Sequence, residues 1–362
     1  MPVTAKIPLA GIPPEELPEL LGSLPPYRSV QIGKWLSRGV RSFSDMTDLP
    51  ESLRAELEKR FILRSGSVSA RLEDDDGTVK LQISLSDGLR IETVLLTDGE
   101  GRRTACLSTQ AGCPAGCVFC KTGSLGFRRN LTAAEMVEQF LRLRDIEGDI
   151  ANIVIMGMGE PLLNLAEVRR ALGIFTNPRA FALSARRITL STCGIIDGIR
   201  ELTDAGPGIR LALSLTTGDE KLREELMPLG RSNPLALLRE ALRSHQRKWG
   251  QRITLEAVLL GGINTRDADA EAIAAFAEGL DVAVNLIPWN PVEGMTFRGM
   301  ALREPTGREL RGINAGLERR GIKVTRRFRR GRGISGACGQ LGLMEPGAGG
   351  SGMDHELSPL VR

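Results

Sequence analysis

Cys113-Pro-Ala-Gly-Cys117-Val-Phe-Cys120 places three cysteines within eight residues, at C-x3-C-x2-C spacing. A strand-like apolar run (104–109) precedes this loop, and a helix-like segment opening at Thr132 follows it. Three thiolates on a short loop suit three corners of an iron–sulfur cube, one sulfur ligand to each iron. The fourth iron then has no protein ligand and is open to a reactive small molecule. Structural zinc is the alternative. It asks for four N or S ligands, so Cys106, Cys193 or Cys338 would have to complete the set. The histidines, His245 and His355, lie far downstream. A disulfide framework fits poorly in so long a chain without a secretion signal.

Outward from the loop, apolar runs rich in β-branched residues recur at 104–109, 152–156, 187–191, 209–215, 253–260 and 282–287. Helix-like stretches follow them at 133–145, 165–175, 195–205, 234–249, 268–278 and 306–319. Near-continuous apolar strands alternating with helices indicate a parallel sheet covered on both faces. Six such units predict an α/β fold, a partial (β/α)6 barrel and not the closed eight. Barrel chemistry gathers in the loops after the strands. The cysteine loop follows the first strand, Gly157-Met-Gly-Glu160 the second, and Ser191-Thr-Cys-Gly194 the third. Ser214-Leu-Thr-Thr217 follows the fourth and Pro288-Trp-Asn290 the sixth. Five motifs share one rim.

Ahead of the barrel, 14–21, 29–38 and 49–61 are short amphipathic stretches broken by Pro25-Pro26 and Asp48-Leu-Pro50. They predict a small helical domain over 1–63 with Leu20, Leu21, Ile32, Trp35, Leu36, Leu53 and Leu57 inside. Over 64–103 the pattern turns to strands. Runs 79–85 and 89–96 flank Ser86-Asp-Gly88, a hairpin signal that predicts a β extension. The barrel and a C-terminal catalytic loop take 104–341, and the Gly-rich 342–362 predicts a flexible tail.

Hydrophobic content of 41% and charged content of 25% allow one large core with a small appended domain in 362 residues. No apolar run approaches the ~20 residues that span a bilayer, and the first residues lack a signal peptide's apolar core. Six cysteines then imply a reducing compartment and metal or redox chemistry. A cytoplasmic protein is expected. Net charge is only +4, yet 302–332 holds eleven Lys/Arg against three Glu, a local +8. That segment runs into Cys338, which points to a polyanion beside chemistry. A solvated surface is the bland alternative. Aromatics make up only 4%, too few for a stacking platform, so Arg contact with a backbone is expected.

C-x3-C-x2-C with Phe119 before the last cysteine is the signature of radical S-adenosylmethionine (SAM) enzymes. Further motifs occur in one order: Ser108-Thr-Gln-Ala-Gly-Cys113, Gly123-Ser-Leu-Gly-Phe-Arg-Arg-Asn-Leu131 and Gly157-Met-Gly-Glu-Pro-Leu-Leu-Asn164. Leu286-Ile-Pro-Trp-Asn-Pro291 and Ala337-Cys-Gly-Gln-Leu341 follow. Together they resemble the RlmN/Cfr family of RNA adenine methyltransferases, over about 28–341. The resemblance implies a [4Fe-4S] cluster on Cys113, Cys117 and Cys120, with SAM chelating the open iron. It puts SAM contacts at Gly159, Glu160, Ser191, Ser214, Leu215, Thr216 and Asn290. The family usually has His where this chain has Thr216, whose hydroxyl still donates and accepts. The implied reaction adds a methyl to carbon 2 of adenine in 23S rRNA. Some members also accept tRNA, and an electron donor such as a flavodoxin-type reductant is implied.

By the same resemblance, Cys338 receives a methyl from one SAM. A second SAM yields a 5′-deoxyadenosyl radical that takes hydrogen from that methyl, and the carbon radical adds to adenine. Cys106 resembles the resolving cysteine, which forms a transient disulfide with Cys338 and frees the product. Glu92 resembles the acceptor of the ring proton. Without the resemblance, Cys106, Cys193 and Cys338 read as packing, Glu92 as an exposed strand residue, and Ser191 and Asn290 as strand-end caps. Radical cofactors exist for bonds as inert as an adenine C–H. Two other readings stay open: Cfr-type methylation of carbon 8, and a non-catalytic zinc-containing RNA-binding protein. An activase that leaves a radical on a protein partner would give Cys338 and the basic segment no role.

Overall fold

A computed structural model describes residues 6–342 apart from 23, 327–329 and 332, together with the backbone but not the side chain of 326. Its centre is a ten-stranded sheet whose strands lie side by side in chain order. They are β1 (Ser67–Glu73), β2 (Val79–Ser84), β3 (Arg90–Thr97), β4 (Arg103–Cys106) and β5 (Asn152–Ile155). Then come β6 (Ile188–Thr192), β7 (Arg210–Ser214), β8 (Ile253–Leu259), β9 (Val282–Pro288) and β10 (Val324–Arg326). β1 to β4 pair antiparallel, and β4 to β10 pair parallel throughout.

Two long helices, α1 (Pro26–Ser37) and α2 (Glu51–Arg60), and a single helical turn at Leu17–Leu20 precede the sheet. Six more long helices fall one between each successive pair of parallel strands: α3 (Ala133–Glu147), α4 (Leu165–Thr176), α5 (Ile196–Ala205), α6 (Leu235–Trp249), α7 (Asp267–Ala277) and α8 (Gly307–Arg319), with short turns of helix at Lys121–Ser124 and Glu220–Leu226. This is the incomplete (β/α) barrel that the alternation predicts. β10 is a parallel strand beyond the six expected runs, short and cut from a basic stretch, so it carries no apolar signal. The expected hairpin is β2–β3. It does not stand apart, because β3 pairs with β4 (Val94 with Cys106) and so continues the barrel sheet.

Local chemistry sets the boundaries. Thr132 and Glu135 form a reciprocal capping box at the start of α3, as Thr306 and Glu309 do for α8. Such caps contribute about 1 kcal/mol each. Gly250 ends α6 with left-handed backbone (φ 62°). The parallel strands bury Ile153, Leu190, Leu213, Leu255 and Val284 in one core with the helices' inner faces. That is why their sequences read as continuous apolar runs.

The N-terminal helices enclose a second core that includes Leu21, Ile32, Leu36 and Leu57, with Leu9, Phe43, Met46 and Phe61 added. Leu20, Trp35 and Leu53 pack at its edge and are only partly buried. For Trp35 the reason is polar: its indole N–H donates to Asp48 Oδ1 at 2.6 Å. This unit docks on the barrel where Gly11 meets α3, since a Cβ there would lie 2.7 Å from that of Ala134. Arg170 on α4 completes the junction, donating to Gly11 O and Glu16 Oε1 at 2.9 Å each.

His245 on α6 adds a pH dependence. Its Nδ1 lies 2.9 Å from Thr203 Oγ1, whose own proton goes to Ile199 O, so Nδ1 is the donor. Nε2 has no partner, and burial lowers the imidazole pKa from 6.5 to about 4. A folded pKa below the unfolded value means stability present above pH 6.5 and lost as pH falls through about 4. The shift corresponds to about 3 kcal/mol. Denaturant unfolding from pH 7 to 4 should show that loss in the wild type, while His245→Phe should lack that component.

Candidate active site

The cysteine loop is presented by a small antiparallel pair, Gln110–Gly112 with Phe127–Asn130. Gly112 must be glycine: its φ is +75°, and a Cβ would lie 1.8 Å from Gly126 O. The same carbonyl accepts from Cys113 N at 3.0 Å. Val118 N donates to Leu226 O at 3.0 Å, and the Trp289 indole to Phe119 O at 2.9 Å, which fixes the rest of the loop.

Burial, then the charge of Cys120, pushes the Cys113 thiol up to about 12. Burial, then Cys120 and Cys113, raises Cys117 well above its usual value, and burial raises Cys120. Three close thiols that oppose one another's ionisation become a stable thiolate set only with a cationic group among them. One buried and two half-buried soft donors on a single short loop fit an iron–sulfur cluster. Among the described residues, no His, Cys, Asp and Glu side chains group tightly enough to hold one metal ion. A cube takes one thiolate at each of three separate irons.

Glycines bring the next loop against this one. A Cβ on Gly157 would sit 2.6 Å from Ser108 Oγ, and one on Gly159 (φ +106°) would sit 2.6 Å from Gln110. Ser108 Oγ accepts from Met158 N at 2.8 Å and donates to Glu92 O at 2.6 Å, joining β3 to both loops. Glu160 is buried, and burial raises its carboxyl pKa. Its oxygens accept from Thr192 Oγ1 and Cys193 N at 2.7 Å and from Leu162 N at 3.1 Å. Thus Glu160 ties the rim together, joining the ends of the second and third barrel strands.

Ser191 and Ser214 stand together at the ends of β6 and β7, their hydroxyls 3.2 Å apart. Ser191 also donates to Glu256 Oε2 at 3.0 Å. Glu256, buried on β8, escaped the sequence reading; a lone carboxylate inside the apolar run 253–260 was its signal. Leu215 is fully buried. Thr216 is fully buried too, with left-handed backbone (φ +64°) and a hydroxyl that has no partner among the described residues. It does not line the cavity described next. Asn290 does line it. Its Nδ2 donates to Cys338 O at 3.0 Å, while its buried Oδ1 has no partner among the described residues, an acceptor suited to a ligand's N–H or O–H.

Cys106, Cys120, Gly157, Asn290 and Cys338 face one cavity of about 860 Å³ inside the barrel. Arg102, Arg186, Arg187, Arg210 and Arg330 also line it. The segment bearing Cys338 is clipped on two sides. From the extension, Asp76 Oδ2 accepts from Gly331 N (2.9 Å) and Lys80 Nζ donates to Ser335 O (3.2 Å). From the cysteine loop, Lys121 N donates to Gly339 O (2.8 Å) and Thr122 Oγ1 to Leu341 O (2.9 Å).

Glu92 is 2% exposed, which corrects the reading of a solvent-facing strand glutamate. Its Oε2 accepts from Gly342 N at 2.7 Å and lies 3.6 Å from Lys80 Nζ. Lys80, itself 1% exposed, thus bridges Glu92 and the Cys338 segment. Sequence reasoning missed it because an alternating strand hides one inward charge. Among the described residues no cysteine is in a disulfide. Residues 327–329 and 332 of the basic segment lie outside the described residues, as does the expected tail from 343.

Fold and cysteine loop together define a radical SAM protein, and residues 107–276 match the family described as "Radical SAM superfamily". Residues 7–63 match "Ribosomal RNA large subunit methyltransferase N-terminal domain". The probable dual-specificity RNA methyltransferase RlmN of Treponema pallidum (strain Nichols) is 47% identical, covering 92% of this chain and 97% of its own length. Its Treponema denticola counterpart is 48% identical, over 93% and 96%. A crystal structure of a radical SAM methyltransferase from Sphaerobacter thermophilus superposes with TM-score 0.86 at 39% identity, covering 92% of this chain and 99% of that one. The chain belongs to the RlmN family of radical SAM RNA methyltransferases. Membership implies a [4Fe-4S] cluster and SAM as cofactors and rRNA as substrate. No helix among the described residues is long and apolar enough to cross a membrane.

Proposed function

We propose that this chain methylates carbon 2 of adenine in 23S rRNA through a methyl carried on Cys338, and that it also accepts tRNA. The observation that carries this reading is the shared cavity: Cys106 and Cys338 line it beside cluster residue Cys120, with five arginines around it. Bound at the cysteine loop, the cluster and SAM supply methyl groups and a one-electron route to a carbon radical. The chain's residues do the rest. Asn290 and the clips on Gly339 and Leu341 hold Cys338 against the cysteine loop, where it takes up a methyl. Ser191, Ser214, Glu160, Gly159 and the backbone at Leu215 and Thr216 orient SAM on the rim. The arginines hold RNA phosphates while the base enters the cavity.

Glu92 takes the ring proton. A protonated Glu92 no longer pairs with Lys80 and accepts less well from Gly342 N, so proton uptake loosens the Cys338 segment. Once the adduct has given up that proton and one electron, the Cys106 thiolate attacks Cys338 sulfur. The S–C electron pair goes to the base-bound carbon, which takes a proton to become methyl, and the transient disulfide left behind is reduced by the external reductant. A flavodoxin-type reductant delivers electrons, and the setting is the reducing cytoplasm.

Mass mapping of rRNA and tRNA from a deletion strain, with and without this chain restored, tests the reading. The expected product is 2-methyladenosine in 23S rRNA and in tRNA, absent from the deletion strain. Appearance of 8-methyladenosine instead would move the chain to Cfr-type chemistry. Stoichiometric zinc without acid-labile sulfide would favour the non-catalytic RNA-binding reading.

A further inference from the structure

Arg223 lies on the short helix Glu220–Leu226 after β7 and is 1% exposed. A guanidinium carries five N–H donors, and enclosing them without acceptors is costly. Here Nη2 donates to Cys193 O, whereas Nε and Nη1 meet no acceptor among the described residues. No ion pair holds Arg223 among the described residues, and the Glu220 carboxylate instead accepts from Leu235 N at 2.9 Å. The helix is seated on the cysteine loop through Val118 N and Leu226 O, 3.0 Å apart. Against the larger push of burial, charge at Cys193 and Cys117 favours the cationic form of Arg223. A buried cation with spare donors, beside a ligand of an anionic cluster, is a built half of an interaction.

We propose that Arg223 is the counter-cation of the cluster, giving its unused N–H donors to sulfur at Cys117 and easing one-electron reduction. Cluster potentials follow net charge and hydrogen bonds to sulfur. One electron from an external reductant makes the enclosed charge more negative by one. Arg223 stays protonated, no bond breaks, and its fixed charge favours the reduced state more than the oxidised one. The role concerns every turnover and does not depend on which adenine carbon is methylated.

The test is an EPR-monitored redox titration of anaerobically loaded holoenzyme, without SAM, for wild type, Arg223→Gln and Arg223→Lys. At the wild-type midpoint, the ratio of reduced to oxidised Arg223→Gln cluster should fall at least tenfold, a shift of about 59 mV or more for one electron. Arg223→Lys, which keeps charge without the fork, should fall between. Fully loaded Arg223→Gln titrating with the wild type would overturn the proposal, as would an unchanged potential with weakened SAM binding. A second measurement needs no loss of fold: wild-type holoenzyme carrying ¹⁵N-arginine should show nitrogen hyperfine coupling to the reduced cluster. Absence of that coupling would equally overturn it.

Discussion

Cys106→Ala is expected to leave RNA joined covalently to the protein through Cys338. Cys106 ends β4 in ladder register with Val94, and its carbonyl accepts from Thr93 Oγ1 at 2.8 Å. It is therefore fixed on the sheet, and the clipped segment bearing Cys338 lines the same cavity. Removing the Cys106 sulfur leaves methyl uptake, hydrogen abstraction and attack on adenine untouched, but leaves nothing to break the thioether. The adduct should survive denaturation and appear as a mass shift that nuclease trims. Cys106→Ala,Cys338→Ala should show none. Glu92→Gln should also accumulate adduct, because the ring proton has no acceptor. A packing role predicts a different pattern: losing one buried sulfur costs about 1 kcal/mol, activity falls with stability, and no RNA is trapped. Wild-type turnover by Cys106→Ala would end the case for a resolving cysteine.

The barrel was legible because parallel strands buried on both faces leave a continuous apolar trace, and because Thr132 and Thr306 announce their helices. The cysteine spacing and the Gly157–Gly159 loop were legible because backbone approach there tolerates no side chain. What stayed hidden is long-range pairing of polar groups. Lys80 and Glu92 look solvent-facing in an alternating strand until β3 joins β4 and the Cys338 segment closes over them. Glu256 looks misplaced until Ser191 donates to it. Arg223 belongs to a charged helical turn in sequence, and only the seating of Leu226 on the cysteine loop turns it inward. None of these has a local signature, since burial of a charge is decided by its partner.

Cys113→Ala, Cys117→Ala and Cys120→Ala should each lose the brown chromophore, labile sulfide and SAM cleavage together, whereas Cys193→Ala should keep all three. The contrast matters because four sulfurs crowd this end of the barrel: the charge of Cys117 raises Cys193, and both lie near Arg223. Sequence spacing excludes Cys193 from the loop, but proximity alone would admit it as a fourth ligand. Its environment argues otherwise. Burial, then the Glu160 charge, holds the Cys193 thiol well above its usual pKa, and the thiol hydrogen-bonds the Glu160 carboxylate, so it keeps its proton. A ligand must release that proton, and burial with the Glu160 charge opposes its release more than nearby Arg223 favours it. The three loop cysteines sit in the opposite situation, where one enclosed cationic group relieves all three at once. A four-ligand zinc site recruiting Cys193 predicts the reverse of the contrast: Cys193→Ala would shed the metal as completely as the loop variants do. Iron and sulfide retained in Cys193→Ala, and lost in the other three, is the expected result. Full SAM cleavage by any loop variant lacking its cluster would rule the radical mechanism out.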